Sequence, residues 1–248
     1  MDYHIDDFTE AEYRRLLAKA VARWRIVTYA EGKADGRICL WRHDIDMSPH
    51  RGRRMASIEA ECGVRATYFV LLHSPFYSML EQEIRDVVRE IAGYGHDIGL
   101  HFDAAFYGGR GLGQKVLEEA LAFEKRILEQ TMEVPVRAFS FHNPGQMTEL
   151  PAYQEEEIAG MLNADGREIR ERFGYCSDSN GYWRHRRLLD VLESGEDERL
   201  YVLTHPEWWV PQPLSPKERV ARCIRGRAER QHQRYESVLA RQGRLNVS

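Results

Sequence analysis

Six side chains suited to metal binding or proton transfer stand where short apolar runs end. Asp44 and Asp46, in Arg42-His43-Asp44-Ile45-Asp46, close the run Ile38-Cys39-Leu40-Trp41. His101 closes the segment from His96 to Leu100, and Asp103 follows two residues on. His142 closes the run from Val136 to Phe141, and His205 the run from Leu200 to Thr204. Asp44 and Asp46 are two residues apart, so extended backbone turns both carboxylates to one side. Two carboxylates held together repel unless a proton or a cation stands between them. A divalent metal joined by imidazoles resolves that repulsion, and zinc accepts both carboxylate oxygen and histidine nitrogen. Other chemistries lack their signatures: the chain has no G-x-G-x-x-G, no G-x-x-x-x-G-K-[ST], no G-x-S-x-G and no H-E-x-x-H.

The elements that must position these groups alternate. Thr9-Glu10-Ala11-Glu12 reads as a capping box opening a helix over about 9–25, with Leu16, Leu17, Ala20, Val21 and Trp24 at helical spacing. The run ending at Arg42 reads as a buried strand. Ser48-Pro49 then starts a helix that stops near Gly63. Ala66–Leu72, His96–Leu100, Val136–Phe141 and Leu200–Thr204 read as further strands, with helices between them. The stretch from Gln146 to about Arg184 is the least regular. Ser215-Pro216-Lys217-Glu218 opens a basic helix over about 215–241. Strands alternating with helices imply a parallel sheet with helical crossovers, and no linker or repeat divides the chain. A single α/β domain over 1–248, a barrel, is the economical reading, with its active site at the C-terminal ends of the strands. His96 reads as a structural histidine, His43 as a packed partner of its strand, and His73 lies in a loop with no assigned role.

Composition narrows the class. With 43% hydrophobic and 30% charged residues the 248-residue chain is an ordinary globular one. No segment approaches about 18 uninterrupted apolar residues, so no membrane span is expected. The acidic, polar N-terminus is unlike a secretory signal, and the four cysteines are widely spaced; both lead to an expected cytoplasmic location. Net charge is −4, yet Ser215 to Arg244 carries nine basic residues against three glutamates. The general surface therefore repels nucleic acid, which is not expected as a partner, while the C-terminal segment is either a solvated helix face or an anion-attracting one.

Arg42-His43-Asp44-Ile45-Asp46, followed by Ala66-Thr67-Tyr68-Phe69 and Gly95-His96-Asp97-Ile98-Gly99-Leu100-His101, resembles the polysaccharide deacetylase superfamily. This is the carbohydrate esterase family four group, with the nodulation-factor deacetylase homology domain. Phe141-His142-Asn143-Pro144-Gly145 and Leu203-Thr204-His205-Pro206 resemble its later motifs, and the likeness runs in order from Leu40 to Pro206. Within the superfamily the chain resembles a bacterial branch associated with surface polysaccharides, including lipopolysaccharide.

The resemblance implies a distorted (β/α)7 barrel with parallel strands and metal-dependent removal of an acetyl group. It makes Asp44 the catalytic base, Asp46 and His101 metal ligands, and His205 the general acid. The family's second metal histidine falls on Ala105, which leaves the site weak or incomplete. Asp103, His142 and Asp178 are the candidate substitutes, with His142 preferred because it ends a neighbouring strand. His142 also falls where the family brings an arginine to the catalytic aspartate, and Asp178 where it has the aspartate that orients the histidine. Trp208 and Trp209, with Trp183, are expected to form a sugar platform, and Asn143 to touch substrate. The expected function is a zinc-dependent deacetylase acting on an N-acylated sugar, a cytosolic nucleotide- or lipid-linked precursor whose diphosphate the C-terminal arginines meet. The alternatives are a non-catalytic sugar-binding protein on the same barrel, for which Ala105 speaks, and an amidohydrolase of small amides.

Overall fold

The computed structural model describes residues 3–32, 35–146 and 151–247; Met1 and Asp2 of the acidic N-terminus lie outside them. Its strands are β1 (Arg25–Val27), β2 (Ile38–Ile45), β3 (Thr67–Leu71), β4 (Asp97–Phe102), β5 (Val136–Phe141), β6 (Glu157–Ile158), β7 (Met161–Asn163), β8 (Gly174–Ser177) and β9 (Arg199–Thr204). The helices are α1 (Glu10–Val21), α2 (Pro49–Glu61), α3 (Gln82–Gly93), α4 (Gln114–Met132), α5 (Arg167–Arg172), α6 (Leu188–Ser194) and α7 (Pro216–Arg241). The sheet runs β6-β7-β5-β4-β3-β2-β9-β8 and curls into a distorted (β/α) barrel. Two features depart from an all-parallel seven-strand arrangement. β6 and β7 pair antiparallel, and β1 is an added strand on the edge of β2 at Ile38–Leu40, which β3 takes over from Arg42.

Strand parity decides what faces the barrel interior. In β2 the odd-numbered Cys39, Trp41 and Ile45 belong to the main core with residues of α1 and α2, whereas Ile38 and Leu40 join an inner core with Phe69, Ala138, Tyr201 and Leu203. Side chains alternate along a strand, so Arg42, Asp44 and, just beyond it, Asp46 continue the inner row. The same count carries His142 inward two residues at a time from Ala138 and Ser140, and His205 from Tyr201 and Leu203. In β4 the inner row is Gly99 then His101. A Cβ on Gly99 would stand 2.5 Å from the Phe69 ring, so glycine there admits the ring that fills the barrel floor below the polar layer.

The outer row of β2 places His43 against α2 and α1. His43 Nε2 donates to Glu59 Oε1 at 2.6 Å, Tyr68 Oη donates to Glu59 Oε2 at 2.7 Å, and Tyr13 Oη donates to Oε1. Glu59 is fully buried. Burial raises its pKa, but the His43 and His96 imidazoles outweigh burial and hold it below the usual range. Glu59→Leu therefore strands two hydroxyls and an imidazole, and a loss of about 3–5 kcal/mol is expected in urea unfolding. A loss below about 1 kcal/mol would show that the cluster stabilises little.

His96 takes the structural role expected of it, bonded to Ala66 N at 3.1 Å and Ala56 O at 3.0 Å. The N-terminal capping box is only half formed: Thr9 Oγ1 accepts from Glu12 N, but the Glu12 carboxylate pairs with Arg15. The box at Ser215 and Glu218 is complete.

Candidate active site

The C-terminal ends of β2, β4, β5, β8 and β9 surround one cavity of about 540 Å³. Asp46, His101 and His142 form a triangle in it. His101 Nε2 lies 3.4 Å from Asp46 Oδ1, His142 Nδ1 lies 3.6 Å from the same oxygen, and the two nitrogens are 3.2 Å apart. Tetrahedral zinc with ligands at about 2.1 Å needs its donor atoms about 3.4 Å apart. Asp46 Oδ1 is buried and has no hydrogen-bond partner. Burial raises the Asp46 carboxyl, but the His101 and His142 imidazoles hold it well below the usual range, so it is an anion. An orphaned carboxylate oxygen and two imidazole nitrogens at this spacing fit a divalent cation.

Each ligand atom is aimed from behind. His101 Nδ1 pairs with Ser140 Oγ at 2.7 Å, and a proton on Nδ1 leaves the Nε2 lone pair on the Asp46 side. Asn143, with φ at 50°, turns the chain sharply after His142, and its side-chain amide meets His142 Nε2 at 2.8 Å. For Nδ1 to serve as ligand, Nε2 carries the proton and donates to the Asn143 side-chain oxygen, which a half-turn of that amide presents.

Asp44 lies within β2, beyond the strand end read from the sequence. Arg42 grips it with two charged hydrogen bonds, Nε to Oδ1 at 2.6 Å and Nη2 to Oδ2 at 2.7 Å. The arginine beside this aspartate therefore comes from its own strand, and His142 does not fill that place. Arg42 reaches on to Tyr201 Oη and to Asp165 Oδ1 at 3.2 Å, and Asp165 Oδ2 accepts from Phe141 N at 2.9 Å. Burial raises the Asp44 carboxyl, but the Arg42 charge, with His101, brings it below the usual range. Sequence reasoning missed Arg42 and Asp165. The i, i+2 spacing of Arg42 and Asp44 was the available signal for the first; nothing local marks the second.

His205 Nδ1 donates to Asp178 Oδ1 at 2.7 Å, and Asp178 Oδ2 accepts from Trp209 Nε1 at 2.9 Å. Nε2 then faces the cavity, 4.0 Å from Asp46 Oδ2. Burial pulls the His205 pKa down, but the Asp178 bond and the Asp178, Asp46 and Asp44 charges raise it to about 10. A folded value above the free one of about 6.5 means that protonated His205 stabilises the fold. That contribution is whole below about pH 6.5 and is lost as pH climbs through about 10. In metal-free protein the His205 ring, followed by NMR, is expected to titrate near 10, and Asp178→Asn to lower the midpoint by at least about one pH unit. An unmoved midpoint would remove Asp178 from this role.

Glu207, also missed, is buried behind the site with both carboxyl oxygens unpartnered. Burial and the Asp46 charge push it well above the usual range.

The tryptophans separate. Trp208 lines the cavity. Trp209 is fully buried between Phe8, Tyr13 and Asp178, and Trp183 stacks on Phe8 and donates to Asp7. Trp209 is fully buried, Trp183 is half-buried against Phe8, and neither lines this cavity, so the expected three-tryptophan platform is not assembled here; Tyr175, Arg184 and His185 are cavity residues that the sequence did not single out. Asp103 is outside the triangle and caps the turn after β4, accepting from Ala105 N at 3.0 Å, with Ala105 exposed.

No protein-family model matches the sequence, and no curated protein does. Among solved structures the chain is similar to the catalytic domain of a peptidoglycan N-acetylglucosamine deacetylase from Eubacterium rectale, at 15% identity and TM-score 0.47, covering 80% of this chain and 87% of that one. It is similar to a family 4 acetyl xylan esterase from Clostridium thermocellum in complex with a cobalt ion, at 12% identity and TM-score 0.47, covering 78% and 84%. A CE4 family pseudoenzyme from Bacillus anthracis matches at 14% identity and TM-score 0.44, covering 79% of this chain and 62% of that one, under two thirds of its length. At these scores the likeness is one of chain course; what the site can do depends on its own side chains.

Proposed function

We propose that this chain is a zinc-dependent deacetylase of the polysaccharide deacetylase superfamily. It hydrolyses the amide of an N-acylated sugar, with a nucleotide- or lipid-linked precursor of a bacterial surface polysaccharide as substrate and the cytoplasm as its place of work. One observation carries the reading: the Asp46–His101–His142 triangle shares a cavity with an arginine-held aspartate and an aspartate-held histidine. A divalent cation bound by the triangle supplies a Lewis acid that makes water more acidic and polarises the amide carbonyl. Asp44 takes the proton of the attacking water, and Arg42 keeps that carboxylate ionised and oriented. His205 delivers a proton from Nε2 to the leaving nitrogen; without it an amine anion would have to depart. Asp178, on Nδ1, keeps the transferable proton on Nε2.

The case for a non-catalytic sugar binder rested on Ala105, and it weakens once His142 is taken as the third donor. The test is acetate release from a uridine-diphosphate-linked N-acetylhexosamine by zinc-loaded protein. Release should fall at least about 100-fold on chelation and return with zinc. Sugar binding without release would favour the non-catalytic reading, and release indifferent to chelation a metal-free amidohydrolase.

A further inference from the structure

A second cavity, of about 290 Å³, lies where α7 crosses the first turn of α2. Four arginines line it: Arg51 of α2, and Arg222, Arg225 and Arg230 of α7, with His50 beside them and Glu229 as the one carboxylate. The α7 residues recur at positions 222, 225 and 229–230, one helix face. Gly226, in the middle of that face, weakens the helix but leaves the wall open; a Cβ there would meet only Arg230 Nη1, at 3.5 Å. Ser48 and Pro49 put the positive end of the α2 dipole at the same place.

The positive charge is not used up internally. Arg222 and Arg225 make no hydrogen bond or ion pair among the described residues. Arg51 is 9% exposed, and its Nη2 is taken by Glu10 and the Trp209 carbonyl, yet its buried Nε has no partner. Arg230 lies 3.7 Å from Glu83, a carboxylate it shares with His50. Guanidinium groups match phosphate oxygens two at a time, and a helix N-terminus adds backbone donors.

The cavity is next to the catalytic one. Ser48 follows Asp46 by two residues, so their Cα atoms are at most about 7 Å apart. Arg51 holds the carbonyl of Trp209, whose neighbour Trp208 walls the catalytic cavity. We propose that the arginine cavity binds a diphosphate group, the one that joins the acylated sugar to its carrier. This placement on the substrate rests on the deacetylase reading; the diphosphate site itself does not.

The probe is inorganic pyrophosphate, titrated calorimetrically into the full chain at constant ionic strength, beside an R222A/R225A variant. Both side chains are exposed and unpaired, so the variant keeps its fold. One-to-one binding weakened at least tenfold in the variant is expected. Equal affinity in the two proteins would overturn the site. In turnover, R222A/R225A should raise KM at least tenfold for a diphosphate-linked N-acetylhexosamine with kcat unchanged, and leave KM for the free sugar alone. An unchanged KM for the linked sugar would overturn the placement. A nucleoside-linked and a short isoprenyl-linked substrate, run in parallel, separate the two carriers by kcat/KM. Arginine-dependent pyrophosphate binding without acyl release would uphold the site and sink the deacetylase reading. Acyl release with arginine-independent binding would do the reverse.

Discussion

Asp44→Asn is expected to keep bound zinc and sugar affinity while losing at least about 100-fold in kcat, because an amide cannot accept the proton of the attacking water. The two Arg42 bonds to Asp44 make this substitution costly to the fold as well. Leaving a buried guanidinium without its anion costs about 3–5 kcal/mol at the upper end, offset in part by the Asn oxygen and by Asp165 and Tyr201. Turnover is therefore measured per folded molecule, with Asp165→Asn as the matched control. That variant takes a carboxylate from the same guanidinium but leaves the base, so it should lose stability and keep most of its kcat. If Asp44→Asn turns over a confirmed substrate as fast as the parent, the proposed base is wrong whatever the fold. Equal kcat losses in both variants would assign the effect to Arg42 positioning.

His142→Ala should release zinc and activity together. Removing an outer-shell partner of a metal ligand costs 10–100-fold in affinity, and removing a ligand should exceed about 100-fold. Asn143→Ala, which removes only the group behind His142 Nε2, should fall inside the smaller range. Metal content of protein dialysed against dilute chelator reads this directly, without a substrate. If zinc stays on the His142→Ala protein while turnover falls, the third donor is some other group and His142 acts on substrate. That outcome would leave Asp46 and His101, 3.4 Å apart, as the core of the site.

Strand parity is a local property, and the pairing of Asp44 with Asp46 was legible for that reason. Once Ile38–Trp41 reads as a strand, the two-residue period puts Asp44 and Asp46 on one side, whereas His101, His142 and His205 were marked by standing where strands end. The basic helix was also legible, because Ser215-Pro216 and Glu218 satisfy its first turn from within four residues. What the sequence could not decide was which ends meet. Asp165 reaches Arg42 only because β7 lies beside β5, and β8, hidden in the least regular stretch, brings Asp178 to His205 only because it pairs with β9. The tryptophans show the same limit: adjacent in sequence, Trp208 and Trp209 point to a cavity wall and to the packed core, a choice made by Phe8 and Tyr13 from the other end of the chain. Residue type and spacing determined the chemistry available. Long-range packing, which alone brings distant strand ends within a few ångströms, decided which side chains share a site and which are spent holding it.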